Sequence, residues 1–277
     1  MKKAISAWVF VGKSVKEAMS LAKEAGYDGI ELTLEESGPT GLESTPADWA
    51  EIRKHSEEIN LPIHSVATGL HWGNPITADD PKVREKAVAI VEKQLEMAKA
   101  LGSDAILVVP GAVGVSFVPD FKTVPYDVAY ERSLEVFKRL KTKAEELQIK
   151  IGLENVWNQF LLSPLEMRDF IDKIDSPYVG AYFDVGNVMA TGFPEQWIRI
   201  LGSRIVKVHF KDYRRAAGGL HGFVDLLAGD VNWREVMAAL KEIGYDGWVT
   251  AEMIPPYTHY PEQIVWNTCG AMKVICG

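Results

Sequence analysis

Short apolar runs alternate with stretches of helical periodicity along the chain. The runs cover residues 3–10, 29–34, 62–68, 105–112, 151–156, 179–187, 205–212 and 247–253. Each is rich in Val, Ile, Leu and aromatic residues, as a buried strand requires. Between them, three- and four-residue apolar spacing predicts helices over 14–26, 45–60, 80–101, 126–147, 164–174, 194–201, 233–243 and 261–275. Start and stop residues agree: Ser14 and Gly26 bracket the first helix, Pro46 opens the second, and Gly102 ends the third. Strands alternating with helices predict a parallel sheet with helices outside. Eight such units in 277 residues match a single (β/α)8 TIM barrel. A doubly wound sheet would need fewer strands and a phosphate-binding glycine turn after the first strand, and neither GxGxxG nor GxxxxGK stands there. No linker or low-complexity stretch interrupts residues 1–277, so one domain is expected.

The connections are unequal. The longer irregular stretches, 35–43, 68–79, 111–124, 213–230 and 254–260, each follow a strand. The opposite connections are short, as in GYDG, INLP and LGSD. In a barrel this puts the long loops on the C-terminal face, where active sites form.

Composition narrows the partners. With 47% hydrophobic and 25% charged residues, the chain can bury a sizeable core. The net charge of -8 opposes phosphate backbones, so no nucleic-acid partner is expected. No run of about 18 apolar residues occurs, so no membrane association is expected. The apolar segment after Lys2 and Lys3 is interrupted at Gly12–Lys13 and reads as a first strand rather than a signal peptide. Cys269 and Cys276 fall two turns apart on one face of the last helix, about 10 Å from each other and beyond disulfide reach. They read as small packing residues, and a chain without disulfides fits the cytoplasm. Trp233, Trp248 and Trp266 read either as core or as the face of a homo-oligomer.

Four chemistry-bearing residues end four consecutive strands. They are Glu154 in IGLEN, Asp184 in AYFDVGN, His209 in VKVHFKD and Glu252 in WVTAEM. Strand side chains alternate between faces. In all four runs the positions of one parity are apolar (Ile151 and Leu153, Val206 and Val208, Val249 and Ala251), while the acid or imidazole takes the other. Adjacent barrel strands would bring the four together. Taken singly, each is a strand-end polar group bonded to a loop. Taken together, three carboxylates would repel one another unless a cation lay between them. Three carboxylates and one imidazole suit a divalent cation such as Mn²⁺, Co²⁺ or Mg²⁺ rather than a soft metal.

The order Glu, Asp, His, Glu on strands five to eight resembles the xylose-isomerase-like barrels, in particular ketose 3-epimerases and the pentulose- and hexulose-phosphate epimerases. LENVWN at 153–158, FDVGN at 183–187, VHFKD at 208–212, GDVNW at 229–233 and AEM at 251–253 carry the likeness, which spans essentially the whole chain. It implies an isomerase, a sugar epimerase or aldose–ketose isomerase, acting on a sugar or sugar phosphate. It implies one divalent cation on Glu154, Asp184, His209 and Glu252. Glu154 and Glu252 would be catalytic, on opposite faces of a ketose: one removes a carbon-bound proton, giving a metal-held cis-enediolate, and the other returns it.

Several residues around the centre are substrate-binding candidates. Arg215, six positions after His209, matches a substrate-contacting arginine of the ketose epimerases; Arg214 beside it reads as solvated. Lys211 shares the parity of His209 and reads either as a contact to substrate oxygen or as a salt bridge to a carboxylate. Asn187 replaces the histidine of free-sugar epimerases, and Phe160 replaces a glutamate. The first resembles the phosphate-sugar epimerases and uncharacterised relatives, and both departures speak against free-ketose 3-epimerisation. His71 and Trp72 stand in the loop after strand three, and Trp8 and Trp157 are further wall candidates for a sugar's C–H face. His64, within strand three, reads as a core residue. A lyase or dehydratase on a keto-inositol or 3-keto sugar, using the same enolisation, is the alternative. A three-zinc apurinic endonuclease would need histidines after strand four and at Asn187, and both are absent. A sugar-binding barrel without chemistry would not need both Glu154 and Glu252.

Overall fold

The computed structural model describes residues 1–252 and 257–277. From the N-terminus the elements are β1 (Lys2–Ser6), α1 (Val15–Ala25), β2 (Gly29–Thr33), α2 (Pro46–Glu58), β3 (Ile63–Ala67), α3 (Pro81–Leu101), β4 (Ala105–Val108) and α4 (Tyr126–Leu147). They continue as β5 (Lys150–Glu154), α5 (Pro164–Ile174), β6 (Val179–Asp184), α6 (Val185–Val188), α7 (Pro194–Leu201) and β7 (Ile205–Phe210). The chain closes with β8 (Asp212–Tyr213), β9 (Phe223–Val224), α8 (Trp233–Glu242), β10 (Trp248–Ala251) and α9 (Gln263–Cys276). Eight strands form a closed parallel barrel in the order β1-β10-β7-β6-β5-β4-β3-β2, so the (β/α)8 expectation holds. The last part of the eighth apolar run, Met253, and the start of the loop after it lie outside the described residues.

The helix boundaries follow their caps. Ser14 and Glu17 form a reciprocal capping box at α1, and Thr45 and Asp48 form another at α2. Gly26 and Gly102 end α1 and α3 in the left-handed conformation that glycine adopts without strain. Between the strands and the helices lies the apolar core, which includes Ile5, Ile30, Val66, Ile106, Ile151, Leu153, Val208 and Val249. The helix-facing parity expected for β5, β7 and β10 is the parity found.

Four features depart from the apolar runs. β1 stops at Ser6, and residues 7–9 form one helical turn that swings Trp8 onto the inner residues Ala67, Leu107 and Tyr182. The run 179–187 divides because Asp184 turns from strand residue into the N-cap of α6. In β3 the register passes from Ile30↔Ile63 to Glu31↔Ser65, leaving His64 as an extra residue. That bulge stacks His64 on Trp248, with ring centroids 4.7 Å apart, and places its Nε2 3.0 Å from Thr250 Oγ1. Trp248 is therefore engaged with the inner face of the sheet and half-buried, and Trp233 is buried in the core.

The fourth departure is the small hairpin β8–β9, in which Asp212 pairs with Val224 and Tyr213 with Phe223. Pairs this short leave no periodic signature. A single side chain organises the loop around them. The buried Asp212 carboxylate accepts hydrogen bonds from the backbone N–H of Tyr213 (2.8 Å), Leu227 (2.9 Å) and Val231 (3.2 Å) and from Trp233 Nε1 (3.0 Å). Leu227 is thereby held at a φ of 75°, unusual for a branched side chain. Gly229 passes so close to Asp212 that a Cβ there would collide with the carboxylate. The GDVNW phrase is thus a loop anchor, with Asn232 capping α8. Asp212→Ala strands these donors, and the unfolding free energy is expected to fall by about 3 kcal/mol. Urea denaturation measures this, and a loss within 0.5 kcal/mol, about that of an ordinary surface substitution, would refute the anchoring role.

Candidate metal centre

The barrel register assembles the quartet. Asp184 pairs with His209 across β6 and β7, and Glu154 pairs with Tyr182 across β5 and β6. Glu252 follows Ala251 at the end of β10, its backbone N–H donating to Phe210 O. One donor atom from each of Glu154, Asp184, His209 and Glu252 falls within 4.8 Å of all the others, and all four side chains are buried. His209 Nδ1 is the facing nitrogen, 2.8 Å from Glu252 Oε2 and 3.8 Å from both Glu154 Oε1 and Asp184 Oδ2.

Local chemistry aims each ligand. Asp184 divides its two oxygens: Oδ1 caps α6 by accepting from Asn187 N at 2.7 Å, which leaves Oδ2 for the centre. Asn155 clamps the Asp184 backbone, accepting from its N–H and donating to its carbonyl, both at 2.8 Å. Asn187 Nδ2 lies 3.4 Å from Glu154 Oε1 and donates to Asn155 O at 3.0 Å, while Trp157 Nε1 donates to Asn187 O at 3.0 Å. The LENVWN and FDVGN phrases are therefore one connected frame.

The residues fit a divalent cation. Asp184 Oδ2, His209 Nδ1 and Glu252 Oε2 are buried, and none has a hydrogen bond of acceptable geometry. Buried polar atoms are rarely left so, and here three of them converge. The donor set of three carboxylates and one imidazole suits a hard or borderline ion.

Glu31 on β2 is the residue that the strand-end pattern did not reveal. Its fully buried carboxylate lies 3.0 Å from His209 Nε2 and accepts from Ser65 Oγ at 2.8 Å and Tyr182 OH at 2.5 Å. With Nε2–H directed at Glu31, Nδ1 keeps its lone pair for the centre, an arrangement common behind metal-ligating histidines. The signal was present in GIELTL, where an acid interrupts an apolar strand at the parity opposite to Ile30 and Leu32.

Electrostatics separate the two glutamates. Burial raises the Glu154 carboxyl, and the Glu252 charge adds to this. Burial also acts on Glu252, but the Lys211 ammonium and His209 outweigh it and hold that carboxyl below its ordinary range. Lys211 Nζ lies 2.8 Å from Glu252 Oε2 and 3.3 Å from Asp184 Oδ2, and these charges outweigh burial and keep it a cation. For His209, burial favours the neutral ring, yet Glu31 and Glu252 overcome it and raise its pKa well above the ordinary value.

The remaining candidates are dispersed. Lys211 and Asn187 border the quartet, with Lys211 Nζ 3.5 Å from Asn187 Oδ1. Trp8 lies over the inner barrel layer. Trp157 packs against Tyr213 and Phe223. Arg215 turns to the loop after α6, with Nη2 donating to Gly192 O at 2.7 Å and its guanidinium 5.1 Å from the Phe193 ring centre. Arg214 Nη2 donates to Ala228 O at 2.6 Å. His71 is buried beside Gln94 of α3, and burial lowers it to about 4. Trp72 meets Phe117 edge-on at 5.0 Å. Phe160 belongs to an aromatic cluster with Tyr126, Tyr130 and Phe170. Cys269 and Cys276 are free thiols. Among the described residues no helix is long and apolar enough to cross a membrane.

Residues 19–267 match the family profile of the xylose isomerase-like TIM barrel. The chain belongs to that family. An uncharacterised protein of Methanocaldococcus jannaschii is 27% identical over 258 residues, covering 91% of this chain and 83% of that relative. L-ribulose-5-phosphate 3-epimerase of Shigella flexneri is 23% identical over 276 residues, covering 95% of this chain and 90% of the relative. In structure, D-psicose 3-epimerase from Clostridium cellulolyticum superposes with a TM-score of 0.83 at 17% identity, covering 100% of this chain and 98% of that one, which shows the shared fold.

Two outcomes test the centre. Glu31→Gln is expected to weaken Mn²⁺ binding by about 10–100-fold, read by calorimetric titration, and unchanged affinity would remove Glu31 from the site. The second concerns pH in the metal-stripped protein. The Glu154 carboxyl rises from an ordinary 4.5 to about 7 on folding, so the unfolded chain releases this proton first. Its contribution is present below about pH 4.5 and disappears as pH rises through about 7. The Tm of the wild type should therefore fall relative to Glu154→Gln between pH 5 and 7.5; parallel curves would contradict the shift.

Proposed function

We propose that the chain is a divalent-metal-dependent sugar epimerase or isomerase that acts on a ketose or ketose phosphate by moving a carbon-bound proton. The observation that carries this reading is the buried quartet, in which one donor atom from each residue lies within 4.8 Å of all the others. Family membership and the sugar epimerases among the relatives support it. One barrel over residues 1–277 suffices for the whole site.

Glu154, Asp184, His209 and Glu252 would hold one Mn²⁺, Co²⁺ or Mg²⁺ ion, which when bound withdraws charge from a carbonyl and its neighbouring hydroxyl and acidifies the carbon proton between them. Glu252, kept ionised by Lys211 and His209, accepts that proton, and a cis-enediolate results. Glu154 delivers one from the opposite face and inverts the centre. In the reverse direction the two exchange roles. Asn187, beside Glu154, presents an amide to substrate oxygens, while Lys211 stays paired with Asp184 and Glu252. Trp8 covers the inner mouth and excludes water from the reacting carbons. Return of the proton to the neighbouring carbon would make the same groups an aldose–ketose isomerase.

Incubation of the Mn²⁺-loaded protein with free and phosphorylated ketoses in D₂O tests the reading. One ketose is expected to exchange a carbon-bound proton for deuterium and to yield its epimer or aldose. Glu154→Gln and Glu252→Gln should each lower the rate by roughly 10²–10⁴-fold. No exchange with any ketose, or full exchange in both variants, would end the proposal, and loss of water from the substrate would point to the dehydratase alternative.

A further inference from the structure

Beside the quartet, loops following β4, β5, β6 and β7 enclose a cavity of about 320 Å³. This is the lower end of the roughly 300–1,000 Å³ typical of small-molecule sites. Its inner end is formed by Asn155 and Asn187, the two amides that frame Asp184 and Glu154. Asn187 therefore borders both the quartet and this space.

The chemistry of the wall is specific. Trp157 and Tyr213 supply aromatic surface, and Gln159 and Thr191 supply uncharged donors and acceptors. No Asp, Glu, Lys, Arg or His lines it among the described residues. The cations nearest the mouth are committed elsewhere: Lys211 to Asp184 and Glu252, and Arg215 to Gly192 O and the Phe193 ring. A phosphate dianion entering here would lose hydration without a cationic partner to replace it. A sugar ring would lay its C–H faces on the aromatic surface and pair its hydroxyls with the amides.

We propose that this cavity is a subsite for an uncharged glycosyl group carried by the ketose, so that the substrate is a glycosyl ketose rather than a ketose phosphate. The proposal rests on the enolising function argued above and narrows its substrate class. It departs from the phosphorylated sugar in the name of the Shigella relative.

The test compares five compounds with the Mn²⁺-loaded full chain in D₂O. They are D-fructose, its 6-phosphate, and three glucosyl ketoses that carry glucose on O4, O5 or O6 of fructose (maltulose, leucrose and isomaltulose). At least one glucosyl ketose is expected to exchange with a kcat/KM about tenfold or more above D-fructose, and above the 6-phosphate. Thr191→Trp or Ala190→Trp, both at the exposed rim, should lower the ratio of glucosyl ketose to fructose about tenfold. A 6-phosphate better than all three glucosyl ketoses, no glucosyl ketose better than fructose, or a ratio unmoved in both variants overturns the subsite. If no compound exchanges, calorimetric titration of the same five separates the two ideas. Tighter binding of a glucosyl ketose, lost in the rim variants, upholds the subsite while the enolising function falls. Equal or weaker binding overturns the subsite as well.

Discussion

Three carboxylates crowd one imidazole in the buried mouth of the barrel, and the structure around them is arranged to tolerate this. At separations up to 4.8 Å, each pair of ionised carboxylates repels by about 3–4 kcal/mol at an effective dielectric of about 20. Burial adds to that cost by removing water. Two positive groups offset part of it. Lys211 reaches over Asp184 and Glu252 from the end of β7, and His209 faces all three acids. Glu31 then supports His209 from beneath, with Tyr182 and Ser65 satisfying its second oxygen. Three carboxylates against these two positive groups leave one negative charge uncompensated at the centre, and Glu31 adds another behind it.

The backbone converts this electrostatic problem into a fixed geometry. Asp184 serves both as helix cap and as donor, so its orientation is set by α6 as well as by the strand. Asn155 ties the end of β5 to the end of β6, and Asp212 ties the loop after β7 to α8. Loops that carry function are ordinarily the least constrained parts of a barrel. Here buried carboxylates and amides hold them, which keeps the donors in place while the concentrated negative charge pushes them apart.

The same arrangement makes the two glutamates unequal. Both are buried, but only Glu252 sits 2.8 Å from Lys211, whereas Glu154 has the neutral amide of Asn187 on its flank. A pair of identical carboxyls thus acquires opposite proton affinities from neighbours on β7 and α6. The cavity beyond Asn187 is lined by aromatic faces and amides, with no charged side chain among the described residues.

Much of this was legible in residue order. Strand–helix alternation determined the barrel, because a parallel sheet must cover both faces and period-two and period-3.6 patterns are local properties. The quartet was legible too, because each member ends an apolar run at matched parity. Glu31 escaped because its partner is His209, 178 residues away, and nothing local pairs an acid on β2 with an imidazole on β7. His64 read simply as a strand residue, since a bulge depends on the register between two strands. Lys211 was left between substrate contact and ion pair, and only barrel closure put Glu252 within its reach. Local periodicity follows from neighbours in sequence and so determines elements. Charge compensation, bulges and cavity lining depend on groups that meet only when the barrel closes, and the tertiary structure alone decided them.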